Sequence, residues 1–146
     1  MHSILLATHS IVRYFLLIVL IIVIVRSLMG WMNRSSYSKL DDKFSLGLFI
    51  LTHTQLLLGF ALFFISPLII FSGAAMGDRV ARYWLAEHNT GMILAIVLIT
   101  VARISSKKMK DDVFKHKRMF TLNAIALLII LVMIGLSHRG YFSITY

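Results

Sequence analysis

Apolar positions along the chain gather into four blocks separated by short polar stretches: Ile4 to Val25, Phe44 to Phe71, about Trp84 to Ala102, and Met119 to Ser137. A helix that crosses a bilayer needs about 20 mostly apolar residues at a rise of about 1.5 Å each. Each block reaches or approaches that length, which predicts four transmembrane helices. The connections leave no room for a second domain, so residues 1–146 read as one four-helix transmembrane domain. Short links between neighbouring helices favour an up-down-up-down arrangement. The predicted fold is therefore all-α, an integral membrane antiparallel four-helix bundle.

Polar punctuation sets the expected boundaries. Helix 1 should enter at about Ile4 and leave past Val25, with Gly30, Asn33, Ser35 and Ser36 marking a loop. Asp41 and Asp42 suit the first turn of helix 2, where carboxylates meet the positive end of the helix dipole. Pro67 should kink or end that helix, and Ser72, Gly73 and Gly77 should form the outer connection. Asp78 is placed to cap helix 3, with Tyr83 and Trp84 at the interface. Asp111 and Asp112 repeat the paired aspartates ahead of helix 4, a hint that helices 1–2 and 3–4 are similar hairpins. Helix 4 should end near His138, Arg139 and Gly140. The first block lacks a basic leader and a small-residue cleavage site, so it is expected to stay as helix 1.

Composition narrows the chemistry. A mean hydropathy of +0.86 with 14% charged residues excludes a soluble globular domain, which carries about a quarter charged residues. The absence of cysteine excludes disulfides, cysteine-bound zinc, iron–sulfur clusters and covalent c-type haem. A net charge of +9 invites a nucleic-acid reading, but the distribution of that charge argues against one. Eleven basic residues lie in or flank connections 1 and 3, from Arg26 to Lys43 and from Arg103 to Arg118. Only Arg79, Arg82 and Arg139 lie on the opposite side. That is the positive-inside pattern, which places connections 1 and 3 in the cytoplasm and both termini outside. The basic clusters are then topogenic and touch lipid headgroups.

Histidines inside apolar runs carry the functional signal. An imidazole in hydrocarbon costs free energy unless it is hydrogen-bonded, lines a cavity or ligates something. Neutral imidazole is also a common ligand of metals and of haem iron. His9 lies 17 residues from Arg26 and His88 lies 15 from Arg103, about 25 and 22 Å. The two histidines thus fall at one level on helices 1 and 3, diagonal partners in the predicted bundle, as bis-histidine ligation of haem iron would need. Gly91, Met92 and Ala95 share the face of His88, which leaves space for a macrocycle or, equally, for close helix packing. Arg13 follows His9 by one turn and needs an anion: Glu87, a propionate or phosphate, or a lipid headgroup. A later membrane entry near Arg13 would instead make His9 interfacial. His53, in the polar run Thr52-His53-Thr54-Gln55, should point into the bundle. It and His116 are candidates for a second haem, although their depths differ by about 15 Å. The alternatives are a hydrogen bond from His53 to Thr or Asn neighbours and, for His116, one more basic boundary residue, while His2 and His138 read as surface residues.

The fragments THSIVR, THTQLLLG, AEHNTGM and KHKRMF fall one per helix, in that order. Together they resemble a family of small bacterial inner-membrane proteins of the cytochrome b-like type, over nearly the whole chain. The resemblance implies haem b held by His9, His53, His88 and His116. The leading functional expectation is an electron carrier more than a substrate-converting enzyme, with quinone or a respiratory-complex partner nearby. A non-catalytic subunit or assembly factor of a larger complex, or a metal- or haem-handling protein, is the competing reading, and a homo-oligomer is open in each case.

Overall fold

The computed structural model describes residues 2–65 and 88–136, excluding the side chains of His2 and Leu136. The expected outer connection from Pro67 to Glu87, with Asp78 and Trp84, lies outside the described residues, as does the region of His138. Among the described residues there are four helices: α1 (His2–Asn33), α2 (Lys39–Ile65), α3 (His88–Lys107) and α4 (Asp112–Leu136). No strand occurs among the described residues. Each helix is long and apolar enough to cross a membrane, which makes this a multi-pass membrane protein.

Helix α1 packs along α2 and α4, and α3 packs along α4 with a smaller contact to α2. The diagonal pairs are therefore α1/α3 and α2/α4. Contacts between opposite helix ends show that neighbours run antiparallel. Gln55, late in α2, reaches His9, early in α1. Arg103, late in α3, reaches Asp42, early in α2. The bundle is up-down-up-down, as the sequence predicts.

Its interior follows steps of three and four residues on every helix, strictly alternating on α1, α2 and α4. The seam of α1 runs through His9, Arg13, Leu16, Leu20, Val23, Ser27 and Gly30, and that of α2 through Ser45, Leu48, Thr52, Gln55, Gly59 and Leu62. His88, Gly91, Ala95, Ile99, Ala102 and Ser106 continue it on α3, and His116, Met119, Asn123, Ala126, Ile130 and Met133 on α4. This spacing is that of left-handed bundles, in which ridges of one helix fill grooves of the next. Lipid tails are as apolar as leucine, so close packing and internal hydrogen bonds hold such helices together. Small and polar residues duly sit inside, with Ser27, Ser45, Thr52, Ser106 and Asn123 all buried. Large apolar side chains such as Leu57, Leu128 and Phe15 face outward.

The inner-side helix ends are built by capping. Ser38 accepts from the Asp41 backbone N–H while the Asp41 carboxylate accepts from that of Ser38, a reciprocal capping box for α2. Asp111 accepts from the Val113 N–H and caps α4. The paired aspartates thus occupy different positions, the third turn-residue in α2 and the cap itself in α4.

One boundary departs from expectation. Gly30 does not open a loop, because α1 continues to Asn33. The helix ends instead at Arg34, whose φ of 52° is left-handed, and the Ser35 N–H bonds back to the Gly30 carbonyl at 3.0 Å. This is a Schellman closure with arginine where glycine is usual. Gly30 stays helical because its missing Cβ makes room for a neighbour: a Cβ built there would overlap the imidazole of His116.

Candidate functional site: the outer histidine layer

Seam spacing brings His9, Arg13, Gln55, Gly59, His88, Gly91 and Met133 together at the outer end of the described bundle. His9 is buried, and its ring packs toward α2, where a Cβ built on Gly59 would stand 3.7 Å from its Nε2. The Gln55 amide donates to the His9 carbonyl at 2.9 Å and fixes the register of α1 on α2. Its other amide atom, Oε1, is buried with no hydrogen-bond partner among the described residues. His88 opens the described part of α3 and is partly buried. His9 and His88 interact electrostatically across the diagonal, and Arg13 interacts with both. The Arg13 guanidinium also lies 5.1 Å over the Tyr14 ring. Glu87, considered above as its anion, is outside the described residues.

The space beside His88 is used for helix packing on the Gly91 side. A Cβ there would fall 2.5 Å from the sulfur of Met133, so the missing side chain lets α4 close onto α3. Ala95, one turn on, is buried in the apolar core.

The other two histidines are not brought together. His53 lies between Thr52 and Gln55, one residue off the seam, and at about 100° per residue this turns it out of the bundle centre. Its orientation differs from the inward one expected. Its Nδ1–H donates to the Phe49 carbonyl at 2.9 Å, and its ring stacks 4.2 Å from that of Phe49. The expected hydrogen bond to a neighbour is thus made chiefly to its own helix backbone, with the Thr52 hydroxyl at 3.5 Å. His53 stands 14 residues, about 21 Å, into α2. His116 lies at the inner end, 1% exposed, between Gly30 and Tyr37 and with Nε2 3.4 Å from the Ser36 carbonyl. One iron cannot span both.

Around His116 the structure adds a polar cluster that the sequence reading missed. Arg103, counted there as a boundary cation, is buried and donates to Ser45 at 3.0 Å and to the Asp42 carboxylate at 3.3 Å. Ser45 also hydrogen-bonds Tyr37. Burial pushes the Tyr37 phenol up, and Asp42 and Asp41 add to this against the Ser45 bond and Arg103. The Tyr37 N–H donates to Asp112 at 3.0 Å, and Arg26 pairs with Asp41 at 2.7 Å. Among the described residues, no three or more His, Asp or Glu side chains gather to hold a metal ion. No protein-family model, curated protein or solved structure matches the chain.

Proposed function

We propose that the protein is a haem b-binding membrane protein that passes electrons, and that His9 and His88 are the residues that would hold the haem iron. The observation that carries this is the His9–His88 pair itself, on diagonal helices, both on the seam and in electrostatic reach of each other. The donor set fits the group: two imidazoles for iron, and the Arg13 guanidinium beside them for a propionate. When bound, haem b supplies reversible one-electron chemistry. The chain's own residues orient and enclose it. Gln55 fixes the height of His9, Gly59 keeps α2 close without a side chain over Nε2, and the apolar seam below excludes water. His53 and His116 do not fit a shared second haem, and none is assigned to them. The charge bias supports an orientation with both termini outside, and a bacterial inner membrane with quinone or a respiratory complex as redox partner belongs to the same proposal.

The test is the absorption spectrum of purified protein. A Soret band with reducible α and β bands is expected, and its absence would overturn the proposal. One observation favours a second reading, a non-catalytic subunit or assembly factor: Met133 already fills the Gly91 side of the layer. A haem-free protein that co-purifies with a larger membrane complex would support that reading. Reporter fusions in the Ser105–Lys115 connection test the orientation, which requires a cytoplasmic signal.

A further inference from the structure

We infer that α2 is the self-association face of this protein, and that two copies pair through His53 and Thr54 at mid-membrane. Taking Thr52 and Gln55 into the seam turns the exposed Thr54 to the outer side of α2 and the half-buried His53 to its flank, on either side of the outward Ile50 and Leu57. His53 lies ten residues from Lys43, about 15 Å, near the middle of a hydrocarbon layer about 30 Å thick. Two polar atoms are left over on this outer face of α2. The hydroxyls of Thr8, Thr52, Thr100 and Thr121 each return to a carbonyl of their own helix. Thr54, which is exposed, makes no such bond and has no hydrogen-bond partner among the described residues. On His53, the bond from Nδ1–H to the Phe49 carbonyl fixes the tautomer of the neutral ring, so Nε2 is an acceptor, and it too is without a partner among the described residues. Hydrocarbon satisfies neither, and each unmet polar group there is costly.

The chemistry of the pair selects a second copy as the occupant. The face carries one donor, the Thr54 hydroxyl, and one acceptor, His53 Nε2, on adjacent residues. In a two-fold interface, residue i of one copy meets residue j of the other and the reverse. Thr54 of each copy therefore donates to His53 of the other, and both leftover groups are satisfied by one symmetric contact. Gly47 lies two turns below Thr54 on the same side, and a Cβ built on it meets nothing within 4 Å. A second backbone can approach there without collision. Lys43, at the inner end of this face, sits at headgroup level, where lipid phosphates lie between the two cations.

The chain has no cysteine, so any single substitution supplies its sole thiol. Leu57→Cys and Ile50→Cys, oxidised in native membranes, are expected to give a covalent dimer. Ile18→Cys on α1 and Leu128→Cys on α4, comparably exposed, are expected to give none. Cross-linking at all four positions alike, or at Leu57 to a different protein, would overturn the inference. In lipid vesicles diluted stepwise, energy transfer between labelled copies reads the dimer fraction. His53→Phe with Thr54→Val is expected to weaken association about tenfold, as two lost interhelical hydrogen bonds would. Unchanged transfer in that variant, with the wild type dimeric, would assign the contact to packing and overturn the hydrogen-bonded pairing. Because the cross-links use the otherwise native chain, the inference remains testable if the double variant folds poorly.

Discussion

Gly30 in α1 lies against the imidazole of His116 in α4, and this contact joins the inner ends of two neighbouring helices. His116 is held on its other side by the Tyr37 ring, 5.2 Å between centroids, so the imidazole has little room to retreat. Gly30→Ala is therefore expected to destabilise the bundle by about 1–3 kcal/mol through overpacking, despite the better helix propensity of alanine. Thermal melts in detergent check this. His116→Ala in the same chain should recover part of the loss, and a strictly additive double variant would show that the two residues do not act on each other.

Arg34 gives the opposite expectation. Its left-handed φ strains a side chain that glycine would not carry. Arg34→Gly should raise stability by about 0.5–1 kcal/mol, and Arg34→Val should lower it. The same melts read both signs.

The buried Arg103 makes the inner cluster asymmetric. Asp42→Ala leaves a guanidinium inside with only Ser45 and a carbonyl for company. Since the Asp42 side chain is itself 43% exposed, the cost is discounted to about 1–2 kcal/mol. Arg103→Met keeps the volume and returns Asp42 to water, and it should cost less. Equal losses in a melt would refute that reasoning.

At the outer layer, His9→Ala and His88→Ala are each expected to abolish the low-spin haem spectrum, while His138→Ala leaves it intact. With haem bound as proposed, loss of either imidazole would leave the iron a single protein ligand. Arg13→Ala should weaken haem retention less, because it removes a charge contact and not an iron bond. Reduced-minus-oxidised spectra at equal protein decide, and unchanged spectra in both ligand variants would remove the proposed pair.

The spans, their antiparallel order and the aspartates at the helix starts were legible in the sequence, since each follows from length, charge or capping chemistry. Rotation about each helix axis was the harder quantity. Core and lipid are equally apolar to a leucine, so hydrophobic pattern does not mark the buried face. Small and polar residues do, which is why Thr52 and Gln55 together place His53 outside the seam, whereas Arg103, one residue off the α3 seam, is buried through its contacts with Ser45 and Asp42. The extension of α1 through Gly30 was hidden because its cause, the ring of His116, is 86 residues away in the chain.

The alternating spacing of the seam also governs which changes of length the protein tolerates. One residue inserted near Ala126 would turn the outer half of α4 by about 100°, swinging Met133 away from Gly91 while leaving His116 seated on Gly30. Seven residues would restore the phase but shift it by about two turns of height. The two polar ends of the bundle are thus locked in rotation as well as in depth, and drift in this chain is confined to substitutions and to its connections.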